Sequence, residues 1–295
     1  MAREVGIGLI DEVGDDMDLF KNIIAEIKQM GFDYVEISPQ DVGAIINARL
    51  NPDNTHKVRE VLKFHNLKAT VHAPDHLNLR NEKNFEVQKQ VFKSCVDFAQ
   101  VIDAHVLVYH IGRANPVDWV EWHEEPVRRK EIEALKELCD YAGSKGVQVC
   151  VENLEMCSAE ELLEVVTAVG KENIGITYDF GHAFLFYNYF CGYGEKGEKK
   201  FLQSIKDILP YLRHTHIHDN FGRFNPNSEQ ERYVDQLAFG EGDLHLPIGM
   251  GRIPYQQIFP LLNKYAGIFI MEIRSRYKKF YENALVKLKE LIKNG

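Results

Sequence analysis

Short runs of apolar, mostly β-branched residues alternate along the chain with longer stretches whose apolar positions recur every three or four residues. The short runs predict strands over 5–10, 32–38, 68–74, 105–112, 148–154, 174–181, 212–219 and 267–274. The longer stretches predict helices near 17–30, 56–66, 84–102, 124–143, 158–169, 198–209, 254–265 and 280–294. Several helix ends are legible. Ser158 with Glu161 three residues on makes a capping box, Pro254 suits a first turn, and Gly31, Gly146 and Gly170 stand where helices should stop. Eight strands, each followed by a helix, predict a single (β/α)8 TIM barrel, with residues 1–295 as one domain. An open doubly wound sheet would alternate in the same way, but no Gly-x-Gly-x-x-Gly or P-loop follows any strand.

Three connections exceed the usual few residues: 113–123 with both tryptophans, the aromatic 183–197, and 220–253. All would leave the C-terminal ends of strands, the catalytic face of such barrels. The aromatic one reads equally as a lid or as the contact of a homodimer. Composition narrows the classes. At 45% hydrophobic residues the chain can bury a large core, and a net charge of −9 carries no basic footprint for nucleic acid. The five cysteines are odd in number and lack Cys-x-x-Cys spacing, which suggests reduced thiols. No run of 18 apolar residues and no signal-like start occurs, so a soluble, cytoplasmic protein without membrane association is expected.

Ionisable residues collect at the predicted strand ends. His72, His110 and Glu152 end the third, fourth and fifth strands; Asp179 with His182, His216 with Asp219, and Glu272 end the sixth, seventh and eighth; Asp243 and His245 follow in the long loop. Singly, each reads as a half-buried, hydrogen-bonded side chain. Gathered at one barrel mouth, that many carboxylates and imidazoles would repel or shift one another's pKa values, and a divalent cation removes the conflict. A donor set of nitrogen and oxygen without sulfur suits Zn2+, Mn2+ or Fe2+. Of the three histidines in 214-HTHIHD-219, His216 is the best-placed ligand, with His214 and His218 expected behind it or in the core.

The segments 71-VHAPDHLNL-79, 109-YHIGR-113, 151-VENLE-155, 178-YDFGHA-183, 216-HIHDN-220, 243-DLHLPIGMG-251 and 271-MEI-273 carry a resemblance that runs from the first strand to the last helix. By them the chain resembles the xylose isomerase-like TIM-barrel superfamily of sugar-phosphate isomerases, ketose 3-epimerases and endonuclease IV. Resemblance to the epimerases implies one metal held by Glu152, Asp179, His216 and Glu272. It also implies that Glu152 and Glu272 are the catalytic bases on opposite faces of the carbon beside a carbonyl, and that His182 binds a substrate hydroxyl. Resemblance to endonuclease IV implies three zinc ions on His72, His110, Glu152, Asp179, His182, His216, Asp243, His245 and Glu272. A barrel that binds metal or sugar without turnover is the third class.

Charge separates the first two readings. One divalent ion with three carboxylates leaves about −1, which suits a neutral polyol; three ions with four carboxylates leave about +2, which suits a phosphate ester. The chain also departs from the DNA-binding pattern. Asp75 follows the HAP motif where Tyr is usual, and 272-EIRSRY-277 stands where Glu-Thr-Pro is typical. A small sugar substrate is therefore favoured over DNA, with one to three divalent ions. Arg113 is the best candidate for an anionic substrate group, Glu36 and His72 are further substrate-binding candidates, and Arg80 and Arg252 read as solvated surface charges.

Overall fold

A computed structural model describes residues 3–8, 12–112, 125–226 and 232–295. The elements in chain order are β1 (Val5–Ile7), α1 (Met17–Met30), β2 (Tyr34–Ile37), β3 (Ile45–Ile46), β4 (Arg49–Leu50), α2 (Pro52–His65), β5 (Lys68–His72), α3 (Phe85–Val101), β6 (Val106–His110) and α4 (Glu125–Ser144). There follow β7 (Gln148–Glu152), α5 (Ala159–Val169), β8 (Ile174–Asp179), α6 (Phe180–Cys191), α7 (Glu195–Ile208), β9 (Leu212–Ile217), α8 (Tyr233–Phe239), α9 (Tyr255–Ile258), β10 (Ile268–Met271) and α10 (Tyr281–Asn294). Eight strands form a closed barrel in the order β1-β10-β9-β8-β7-β6-β5-β2, and β3 and β4 pair separately. Among the described residues no helix is long and apolar enough to cross a membrane.

Contacts group the chain into two compact units. In the unit Ile10–Glu152 with Glu164–Gly175, β2, β5, β6 and β7 pair in parallel, with Val71 opposite Leu107 and His110 opposite Glu152. Val35, Ile37, Val71, Leu107, Val108, Val149 and Val151 are fully buried. Burial on both faces explains why these strands read as continuous apolar runs. Helix α1 buries Phe20, Ile24 and Ile27, starts where Asp16 accepts the Leu19 N–H at 2.9 Å, and stops at Gly31 with φ of 91°. The pair β3–β4 was not legible as strands; its turn puts Asn47 and Ala48 at φ of 50° and 58°.

The other unit, Met1–Leu9, Asn153–Leu163 and Ile176–Gly295, holds the parallel run β1, β10, β9 and β8. Here the structure corrects the sequence in two places. The aromatic stretch 183–197 is no loop: Asp179 caps α6 by accepting the His182 N–H at 2.6 Å, and α7 begins at Glu195, past Gly192 and Gly194 at φ of 103° and 96°. The helix expected over 254–265 is four α residues followed by a 3-10 turn, Phe259–Leu262, in which Pro260 lacks the N–H that α continuation would use.

Candidate metal and active site

Strand ends supply the chemistry. Each strand brings its backbone hydrogen bonds to an end at a side chain that can then face inward from a rigid rung. His72, His110 and Glu152 are the last residues of β5, β6 and β7, Asp179 is the last of β8, and His216 is the penultimate residue of β9. Glu272 follows β10 directly, and its N–H donates to the Ile217 carbonyl at 3.0 Å.

In the unit that contains β5–β7, Glu152 is fully buried and its Oε2 faces two imidazoles, His72 Nε2 at 3.2 Å and His110 Nε2 at 3.3 Å. The other nitrogen of His72, Nδ1, donates to the Ala73 carbonyl at 2.6 Å. Asp75 lies 3.9 Å from His72 and is largely exposed. Glu36 is buried and accepts the Thr70 hydroxyl at 2.8 Å.

In the unit that contains β8–β10, two groups form. His216 Nδ1 lies 3.5 Å from Glu272 and 3.9 Å from Asp179. His182, His218, Asp243 and His245 form the second, their donor atoms all within 4.8 Å of one another. His182 Nδ1 donates to the Asn153 carbonyl at 2.9 Å, leaving Nε2 at 3.2 Å from Asp243. His245 Nδ1 donates to the Glu272 carbonyl at 2.8 Å, leaving Nε2 against Asp243 as well.

The same wiring recurs in His72, His182 and His245. A backbone carbonyl cannot donate, so it fixes the proton on Nδ1 and turns the Nε2 lone pair toward a carboxylate. Two electron-rich atoms 3.2 Å apart need either a proton or a cation between them. Without a metal the protons take that place. Burial alone would lower the His182 and His218 pKa values, but Asp179 and Asp243 outweigh it and raise both. Burial would likewise raise Asp243, yet His245, His182 and His218 hold it well below the carboxylate range. A divalent cation satisfies the same atoms with neutral imidazoles, so the donor set fits one.

The family model for the xylose isomerase-like TIM barrel matches residues 24–293. The chain belongs to that family. An uncharacterized protein of Methanocaldococcus jannaschii is 27% identical to it over 255 residues, 83% of this chain and 75% of that one. The D-psicose 3-epimerase of Agrobacterium fabrum is 22% identical over 270 residues, 86% of this chain and 78% of that one. A solved D-tagatose 3-epimerase-like protein has the same fold, with a TM-score of 0.73 at 22% identity over 98% of both chains.

Within this xylose isomerase-like barrel several other residues take places that were not foreseen. Arg80 is not a solvated charge: it is 5% exposed, and its Nε donates to the buried Glu131 at 2.7 Å. Glu131 also accepts the Tyr109 hydroxyl at 2.8 Å and the Gly112 N–H at 2.6 Å, so the pair anchors the end of β6. Arg252 does lie on the surface, with its guanidinium on the Tyr193 hydroxyl at 2.8 Å. Arg113 and the 113–123 connection with Trp119 and Trp122 lie outside the described residues.

The histidine triplet divides. His214 is core, 3.4 Å from Thr177 and edge-on to His216. His218, expected behind the site or in the core, stands among the donors: it contacts both Asp179 oxygens at 3.1 Å and stacks on His245 at 3.9 Å. The signal was present in the run of alternate histidines, but β9 ends at Ile217, so His218 escapes the strand's alternation. Asp219 is structural. Its carboxylate accepts the N–H groups of Asn220, Gly249 and Ile253 at 3.0, 2.8 and 3.1 Å and pins the 245–253 turn that carries His245.

Proposed function

We propose that the protein is a divalent-metal-dependent isomerase or epimerase of a small sugar or sugar derivative. The observation that carries this reading is the shared wiring of His72, His182 and His245, whose Nδ1–H groups are committed to carbonyls and whose Nε2 atoms meet carboxylates. Family membership and the likeness to a named D-psicose 3-epimerase support the sugar chemistry.

On this reading Glu152, Asp179, His216 and Glu272 hold the principal ion, Mn2+ or Zn2+. Bound there, the metal would polarise a substrate carbonyl and so acidify the neighbouring C–H. The chain's own residues do the rest. One of Glu152 and Glu272 takes the proton from that carbon and the other returns one to the opposite face. His182 binds a substrate hydroxyl, and Glu36 and Arg113 hold the remainder of the substrate. The water-poor setting of the fully buried Glu152 and the 5% exposed Glu272 strengthens each of these interactions.

The test has two parts. Elemental analysis of protein purified without chelator should find metal, and Glu152→Gln and Glu272→Gln should each lower turnover by at least about a hundredfold while sugar binding survives. Normal turnover by either variant sinks the two-base mechanism.

A second reading draws on the further group of His182, Asp243 and His245 with His218, beyond what one metal requires. It is endonuclease IV-like hydrolysis of a phosphodiester by three zinc ions. Incision of an abasic duplex by zinc-loaded protein, lost on chelation, would favour it. No incision, together with about one metal per chain, would remove it.

A further inference from the structure

Beside Asp243 lies a cavity of about 260 Å3 whose lining includes Glu155, Phe224, Asn225, Gln236, Asp243 and Arg274. That is below the size of a drug-like site and suits a small polar ligand. Among the described residues that line it, Arg274 is the single cation. Its guanidinium stacks 4.4 Å from the centre of the Tyr233 ring. Tyr233 is held in turn, donating to the Leu244 carbonyl at 2.8 Å and meeting the Tyr277 hydroxyl at 3.0 Å. Arg274 forms no ion pair among the described residues, and its Nε is buried without a hydrogen-bond partner there.

Arg274 is half-buried, and beyond the Tyr233 ring its buried Nε–H has no acceptor among the described residues to replace the water that it gave up. The ring contact holds the group beside the cavity and leaves the Nε–H to an acceptor, and a guanidinium suits the two oxygens of a carboxylate or phosphate. Asp243 lines the same cavity, so a ligand with its polyol end at Asp243 carries its other end toward Arg274.

We propose that Arg274 is the specificity residue of this site and that it takes an anionic group, a carboxylate or a phosphate, at the end of a sugar-derived substrate. This rests on the sugar isomerase reading for the polyol end alone. Glu155 and Glu241 share the cavity wall. They repel an anion that docks anywhere but on the guanidinium, and so sharpen the register.

The test is equilibrium binding by calorimetry on the full-length, manganese-loaded protein, with D-gluconate, D-ribulose 5-phosphate and D-fructose as probes. The expected result is that one anionic probe binds about ten- to a hundredfold tighter than D-fructose. Which anion wins distinguishes carboxylate from phosphate. Arg274→Gln should erase most of that preference with a much smaller change in D-fructose affinity, and Arg274→Lys should keep part of it.

Equal binding of D-fructose and both anions, binding of none of the three, or a preference that survives in Arg274→Gln would each overturn the assignment. So would an equal loss for all three probes, since Arg274 would then be balancing Glu155 and Glu241. Because the readout is binding, it stands apart from turnover. Anion binding through Arg274 without Glu152- and Glu272-dependent turnover would remove the isomerase reading and leave this one. Glu152- and Glu272-dependent turnover of a neutral ketose, with no anion preference that Arg274→Gln removes, would do the reverse.

Discussion

At the scale of single residues, the site is built by second partners more than by the ligands themselves. An imidazole on a strand end could present either nitrogen; the carbonyls of Ala73, Asn153 and Glu272 decide the matter for His72, His182 and His245. Asp41 carries a separate electrostatic load. Burial first, then Asp75 and Glu12, push its carboxyl up from 3.8 to about 6, against a lowering by His72. A raised folded value means that the folded chain holds the proton more tightly than the unfolded one. The stabilisation is complete below the unfolded value and is lost as pH rises through the folded one. Asp41→Asn should therefore melt with the wild type at pH 3.5, and above it from about pH 6.5 upward, with the gap opening between. A constant gap at every pH would show that Asp41 does not titrate in this window.

At the scale of elements, two junctions hold the donors in place, and both are tight. Gly181 opens α6 against His218, and a Cβ there would stand 2.0 Å from the imidazole Cε1. Gly181→Ala must displace a ring that touches Asp179 and stacks on His245, at a cost of about 1–3 kcal/mol. A melting temperature within a degree of wild type would show that the ring moves freely. The second junction is the Asp219 anchor, where one carboxylate serves the backbone N–H groups of Asn220, Gly249, Gly251 and Ile253. Asp219→Asn replaces an acceptor-only group by one that also carries two donors, so at least one of those contacts turns repulsive. About 1–3 kcal/mol of stability should go, and metal affinity should fall with it because the 245–253 turn loosens. Unchanged metal affinity in a destabilised variant would confine Asp219 to stability.

At the scale of the whole molecule, the proposed metal predicts a linkage between ion binding and stability. Ions that bind the folded chain alone at about a hundred times their dissociation constant add about 2.7 kcal/mol. In a chain of this length that is a rise of about 4–5 °C in melting temperature. Dialysis against chelator should lower the melting temperature by that amount, and zinc or manganese should restore it while magnesium or calcium restores less. No shift, with no metal found by elemental analysis, would remove the metal from the account altogether.

The barrel was legible because its evidence is periodic. Strands buried on both faces read as continuous β-branched runs, and Gly31, Gly146 and Gly170 ended helices where expected, at φ of 91°, 71° and 61°. The strand-end positions of His72, His110, Glu152 and Asp179 follow from the same periodicity, since a strand that stops on a polar residue names its own terminus. Position along the chain thus comes from local pattern, which a single sequence contains. Three features do not. Segment 183–197 looked like a loop because α6 is buried nearly all round and lacks a polar face; its start depends on one hydrogen bond to Asp179. Arg80 looked solvated because its partner, Glu131, is 51 residues away. His218 joined Asp179 and Asp243, which precede and follow it by tens of residues, through a bend beyond the end of β9. The sequence by itself determined which groups stand at strand ends, because hydrophobic period and turn chemistry are local; tertiary structure alone decided which nitrogen faces which oxygen, because those pairs meet only after the strands have closed.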